Sequence, residues 1–203
     1  MNRKFSWTAS VTALYAILIL AVHPIIYQNY YFNILNVKYL FYCACTIGML
    51  ILLSGYFIFT GAFKRIKLKL IPTDYAFLAF IIIATLSAAF SDFKYEAFWG
   101  NEGRFSGAFL LILYAASYFC VSRLLKFKSW FMDIALLSCM AVCIFGFTDY
   151  LGMDLLHFKV RLKAEHIGMF TSFIGNINMY TGLLSVYLGA ACLLWVSCPN
   201  KLR

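Results

Sequence analysis

Six apolar stretches follow one another along the chain, at residues 7–27, 39–63, 74–90, 107–122, 130–151 and 179–198. A helix needs about 20 residues to cross a hydrocarbon core, and each stretch is that long or nearly so. Hydrophobic residues make up 64% of the chain and charged residues 12%, against about 25% charged in an ordinary soluble domain. These numbers exclude a soluble globular fold. The expected class is an all-α, polytopic helical membrane protein of about six transmembrane helices, with 1–203 forming a single transmembrane domain. The fourth stretch is short and flanked by Arg104 and Arg123. It also fits a tilted helix over 105–125 whose arginines reach outward.

The links between the stretches alternate in charge. The amino end (Arg3, Lys4), the second link (Lys64, Arg65, Lys67, Lys69), the fourth (Arg123, Lys126, Lys128) and the tail (Lys201, Arg203) hold eleven of the seventeen cations. Basic links stay in the cytoplasm, so both termini are expected there. Asp74 and Asp133 fall on that side, while Asp92, Glu96, Glu102, Asp149, Asp154 and Glu165 fall on the other. The formal net charge of +9 then lies wholly on the cytoplasmic face, and the outer face sums to zero. No domain outside the stretches offers a groove for nucleic acid, so lipid headgroups are the expected partners of that charge.

The amino end resembles a signal peptide only in part. Its apolar run is longer than the usual 7–15 residues and no small-x-small cleavage site follows, so a retained signal anchor is expected. His23-Pro24 closes this first helix at the outer side. All three prolines (Pro24, Pro72, Pro199) stand at span ends. Pro72-Thr73-Asp74 reads as a helix start, with Asp74 favourably near the positive dipole end. The cysteines (Cys43, Cys45, Cys120, Cys139, Cys143, Cys192, Cys198) lie in spans or at their cytoplasmic ends and read as packing residues. Cys139 and Cys143 share a helix face, but two thiols make a poor metal site. No inverted repeat of the transporter kind is visible.

Polar capacity concentrates in the outer links. The first, 28–38, carries Tyr30, Tyr31, Asn33 and Asn36 and is expected at headgroup level. The second contains Phe98-Trp99-Gly100-Asn101-Glu102-Gly103-Arg104-Phe105-Ser106-Gly107, whose three glycines permit a tight turn and a close backbone approach. Arg104 precedes a helix just outside the hydrocarbon, where a guanidinium can hold a diphosphate through paired charge-assisted bonds. The alternative is a rim arginine paired with Glu102 or Asp92, or one touching ordinary lipid phosphate. The third link, 152–178, ends in Thr171-Ser172-Phe173-Ile174-Gly175-Asn176-Ile177-Asn178. Either this is a Gly-Asn turn with Asn178 or Ser172 capping the next helix, or its amides and asparagines face a sugar or anionic ligand. The same link holds Arg161, Lys163, Glu165 and His166. His166 is a candidate acid or base, or an interfacial histidine without chemistry. His-Glu-x-x-His, a phosphate loop and a nucleophile elbow are all absent from the sequence.

The two motifs together, in this order and on one face, resemble the O-antigen ligase and O-antigen polymerase-like membrane proteins. Members tend to carry a Trp/Phe-Gly-…-Arg-Phe/Tyr-x-Gly stretch before one span, as at 98–107 here, and Phe-x-Gly-Asn-x-Asn opening another, as at 173–178 here. The resemblance implies glycosyl transfer at the outer leaflet of a bacterial plasma membrane, with a polyprenyl-diphosphate-linked glycan as donor. An acceptor hydroxyl would attack the anomeric carbon as diphosphate leaves, which needs a base and cations. Arg104, joined by Arg161, would take the cationic part, with Gly175, Asn176 and Asn178 on the substrate. The family implies no metal or cofactor. Its members have more spans and a large later outer loop supplying the essential arginine and histidine, and His166 precedes that place. The chain is therefore expected to be an amino-terminal half, complemented by a second chain or inactive alone. Two other readings stand beside this one: a non-catalytic membrane subunit that binds lipid-linked glycan, and a small transporter component. The span interiors are almost free of charge, which counts against coupled transport.

Overall fold

The structure, a computed structural model, describes residues 3–28, 34–61, 70–101, 103–168 and 171–197, and these are helical without any strand. The basic residues Lys64, Arg65, Lys67 and Lys69, the link residues Tyr30, Tyr31 and Asn33, Glu102, and Cys198 with the tail cations lie outside the described residues. Among the described residues seven α-helices follow in order: α1 (Arg3–Ile17), α2 (Ile34–Thr60), α3 (Pro72–Ala89), α4 (Lys94–Trp99), α5 (Ala108–Leu124), α6 (Trp130–Tyr150) and α7 (Ile177–Ser197). Among the described residues α2, α3, α6 and α7 are long and apolar enough to cross a membrane. Two further apolar helices, Trp7–Val22 and Ala108–Leu124, are shorter. The class is thus that of a multi-helix membrane protein. The short α4, between α3 and α5, is an element that the sequence pattern leaves as loop.

The first helix does not stop cleanly at His23-Pro24. Pro24 has no N–H to donate, and its ring crowds the carbonyl four residues back, that of Leu20. The ladder widens instead into a π-helix over Leu18–Val22, closed by a bond from the His23 N–H to the Leu18 carbonyl at 3.0 Å. The carbonyls exposed at this end find partners elsewhere. Ser138 Oγ of α6 donates to Ala21 O at 3.0 Å. Lys38 Nζ donates to the carbonyls of His23 and Pro24, at 2.6 and 2.9 Å. Lys38 is buried, and a cation at a helix C-terminus is favourably placed against the dipole.

The helices gather into two units. The first comprises Met1–Ala16 and Tyr39–Lys126. In it the Trp7 and Tyr56 rings stack at 4.9 Å, and Tyr15 and Thr46 hydroxyls meet at 3.2 Å. Tyr42 and Ser117 hydroxyls meet at 2.9 Å. The start of α3 is fixed by Asp74, which is fully buried. Its carboxylate accepts the Ile71 N–H and the Tyr118 hydroxyl, each at 2.8 Å, and pairs with the Arg123 guanidinium of α5. A buried carboxylate is tolerated only when its lone pairs are met in this way.

The second unit comprises Ile17–Lys38 and Phe127–Arg203. Its core is Ile34, Val142, Phe158, Phe173, Ile174 and Tyr180, with Ile25, Phe145, Leu183 and Leu184 packed against it. Gly146 gives α6 room for Tyr180 of α7, whose hydroxyl occupies the place a Cβ would take. Phe158 and Phe173 come from the link between α6 and α7, so that link contributes to the core and does not simply hang over it.

Candidate functional site

The stretch 98–107 folds back on itself. After α4 the Gly100 N–H bonds the Glu96 carbonyl at 2.8 Å, and Gly100 takes φ 86°. The chain then turns so that the N–H groups of Arg104 and Phe105 both reach the Asn101 carbonyl, at 3.1 and 3.0 Å. A Cβ on Gly100 would lie 2.6 Å from the Ser106 nitrogen, and one on Gly107 would collide with the Phe98 carbonyl and the Gly100 nitrogen. Two backbone segments therefore touch where only glycine fits. Gly103, at φ 81°, faces open space and serves the turn alone. Phe105 sits at φ 52°, unusual for a bulky side chain, with its ring stacked 4.5 Å from that of Tyr39. The rings of Phe98, Trp99 and Phe109 pack on one another, Trp99 and Phe109 at 5.0 Å. Arg104 projects from this turn with an exposed side chain.

The stretch 171–179 is built differently. Ser172 is fully buried at φ 51°, its hydroxyl donating to the Val142 carbonyl at 2.6 Å. A single 3₁₀ turn over Ser172–Ile174 drives Phe173 and Ile174 into the core, where Phe173 stacks on Phe145 at 4.2 Å. Gly175 ends the turn in the left-handed region at φ 76°, with Ile34 against its Cα. The next residue, Asn176, is then free to cap α7. Its Oδ1 accepts the N–H groups of Asn178 and Met179, at 2.9 and 3.3 Å. The helix cap is Asn176, in place of the Asn178 or Ser172 expected from the sequence. The side chains of Asn176 and Asn178 are exposed at this helix start.

Between these landmarks the third link is organised by two carboxylates. Asp154 accepts the N–H groups of Phe158 and Lys159, at 2.7 and 2.9 Å. Asp149, at the end of α6, pairs through Oδ1 with Lys159 Nζ at 2.7 Å and accepts the Thr171 N–H on Oδ2 at 3.2 Å. Arg161 is exposed on the chain between Lys159 and Thr171. His166 ends a short 3₁₀ turn, Ala164–His166, and its side chain lies outside the described residues.

The residues singled out in the sequence thus fall into two groups. Arg104 belongs to the first unit, and Arg161, His166, Gly175, Asn176 and Asn178 to the second. Within the second, Gly175, Asn176 and Asn178 form one helix start, while Arg161 and His166 sit on the segment before it. Sequence reasoning missed Asp149, Lys159, Asp154, Lys38 and the Asp74–Arg123–Tyr118 group. Its one relevant signal was an acid or base at the edge of an apolar stretch, which does not say which partner it meets. Among the described residues no three His, Cys, Asp or Glu side chains gather as a metal site, and the described cysteines are free thiols. The chain matches no protein-family model, no curated protein and no solved structure.

Proposed function

We propose that this is a six-span protein of a bacterial plasma membrane, with both termini cytoplasmic, that binds a polyprenyl-diphosphate-linked glycan at the outer leaflet and serves glycosyl transfer from it. The observation that carries the reading is the turn at 98–107. Gly100 and Gly107 bring backbone against backbone there, and Arg104 is carried exposed at the entrance to an apolar helix. A guanidinium at that depth suits a diphosphate, because it stays charged at any relevant pH and offers parallel donors. The capped start of α7, with Gly175, Asn176 and Asn178, supplies amide and carbonyl groups suited to sugar hydroxyls, and Arg161 adds a second exposed cation. His166 is the candidate acid or base.

A second reading, a membrane subunit that holds lipid-linked glycan without transferring it, is favoured by one observation. Asp149, a buried carboxylate at the end of α6, is engaged by Lys159 and the Thr171 N–H and is not poised to take a proton from an acceptor. Both readings need the same ligand, and binding tests them together. Polyprenyl diphosphate titrated into the purified protein should bind, and Arg104→Ala should weaken it about tenfold or more, the loss of one charge-assisted pair. Equal affinity for the two proteins would remove the assigned role of Arg104. Release of polyprenyl diphosphate from a glycan-charged donor, in the presence of an acceptor, separates transfer from binding alone.

A further inference from the structure

Cys139, Met140 and Cys143 stand on one face of α6. At about 100° per residue the three cover an arc of about 100°, with Cys143 between the other two. Residues three and four apart on a helix have Cβ atoms about 5–6 Å apart, so Cys143 neighbours both Cys139 and Met140. All three line one cavity of about 500 Å³ between α6 and α7, faced across it by Leu184, Ser185, Tyr187 and Leu188. Apart from the two hydroxyls, sulfur supplies every side-chain donor in that lining, and the Ser185 hydroxyl is turned to the Thr181 carbonyl of its own helix at 2.9 Å. Both thiols are free, Cys139 buried and Cys143 half-buried, and they lie within hydrogen-bonding reach of one another. They cannot join as a disulfide, which needs Cβ atoms about 3.5–4.5 Å apart. Two metal–sulfur bonds of about 2.3 Å reach across up to about 4.6 Å, so a single ion can bridge them.

We propose that Cys139, Met140 and Cys143 form a binding site for a soft monovalent metal ion, Cu(I). Thiolate and thioether sulfur select Cu(I), whereas hard cations need carboxylate or carbonyl oxygens that these side chains do not offer. Met140 is unbranched and flexible, and its thioether can close over an ion held by the two cysteines. Charge points the same way. Cys139 is the tenth of the 21 residues of α6, near the middle of a helix long enough to cross a membrane, where a net charge is costly. When Cu(I) binds, one thiol gives its proton to solvent and the resulting thiolate takes the ion. One positive charge replaces another, and the site stays neutral, with the second thiol and Met140 as uncharged donors. The site is independent of any glycan ligand.

Anaerobic titration of the purified full chain in detergent with Cu(I), against a chromophoric Cu(I) chelator, tests this. The native chain should hold one more equivalent of Cu(I) than Cys139→Ala/Cys143→Ala. X-ray absorption of the one-equivalent complex should show sulfur as the neighbour of copper. Met140→Leu keeps the apolar volume and removes the thioether. It should weaken binding by at least the roughly tenfold that even an outer-sphere partner of a metal is worth. Equal stoichiometry in the native chain and the double variant, unchanged affinity in Met140→Leu, or oxygen and nitrogen neighbours in place of sulfur would each overturn the site. If the double variant does not fold, Cys143→Ala alone, at the half-buried position, should lose the same equivalent, and its retention would sink the proposal.

Discussion

Gly107 shows how much of this protein is decided by single residues. A methyl group there would enter the space of the Phe98 carbonyl and the Gly100 nitrogen, both backbone atoms with no rotamer to give way. Gly48, inside α2, has nothing within 4 Å of the same position. Gly107→Ala should therefore destabilise the protein by more than about 1 kcal/mol, whereas Gly48→Ala should be neutral or gain up to about 1 kcal/mol of helix propensity. Thermal unfolding of the two variants in one detergent checks the order, and equal midpoints would contradict the backbone contact. The glycines of this turn were legible in the sequence because close spacing of glycine has few other uses. Asp74 was legible as a residue of the helix start, but its pairing with Arg123 was not, nor was the pairing of Asp149 with Lys159. Their partners lie 10 and 49 residues away along the chain, a separation that no local pattern encodes.

Helix ends follow a similar division. The apolar stretches located the helices to within a few residues, since hydropathy alone fixes where a helix can enter lipid. Their terminations depended on neighbours. Pro24 announces an end, but the π-helix before it depends on Ser138 and Lys38 taking up the carbonyls of Ala21, His23 and Pro24. At α7 the sequence offered Asn178 and Ser172 as caps, whereas the left-handed Gly175 selects the residue directly after it, Asn176. Ser172 is withdrawn from the competition because its hydroxyl turns inward to Val142. Asn176→Ala should cost about 1 kcal/mol through loss of the cap. Asn178→Ala should cost far less, because its backbone N–H, not its exposed side chain, makes the capping bond. Chemical or thermal unfolding, followed by circular dichroism, distinguishes the two.

For the molecule as a whole, alternation of basic and neutral links is the property that a membrane reads during insertion. Alkaline phosphatase fused within 91–106 or 152–178 should be active, as expected outside the cytoplasm, and inactive when fused after Lys126 or at Arg203. The reverse pattern would invert the topology and move both motif-bearing links to the cytoplasmic face. Helix length adds a constraint of another kind. At 1.5 Å per residue the 27 residues of α2 extend about 40 Å and the 18 of α3 about 27 Å. A hydrocarbon layer is about 30 Å thick. An α3 that spans such a layer nearly upright leaves α2 to lean or to emerge from it, and a thicker layer must pinch around α3 before α2 can straighten. Each ångström of such mismatch costs a fraction of a kcal/mol. Bilayer thickness is therefore a lever on the angle between these two helices, acting without any ligand.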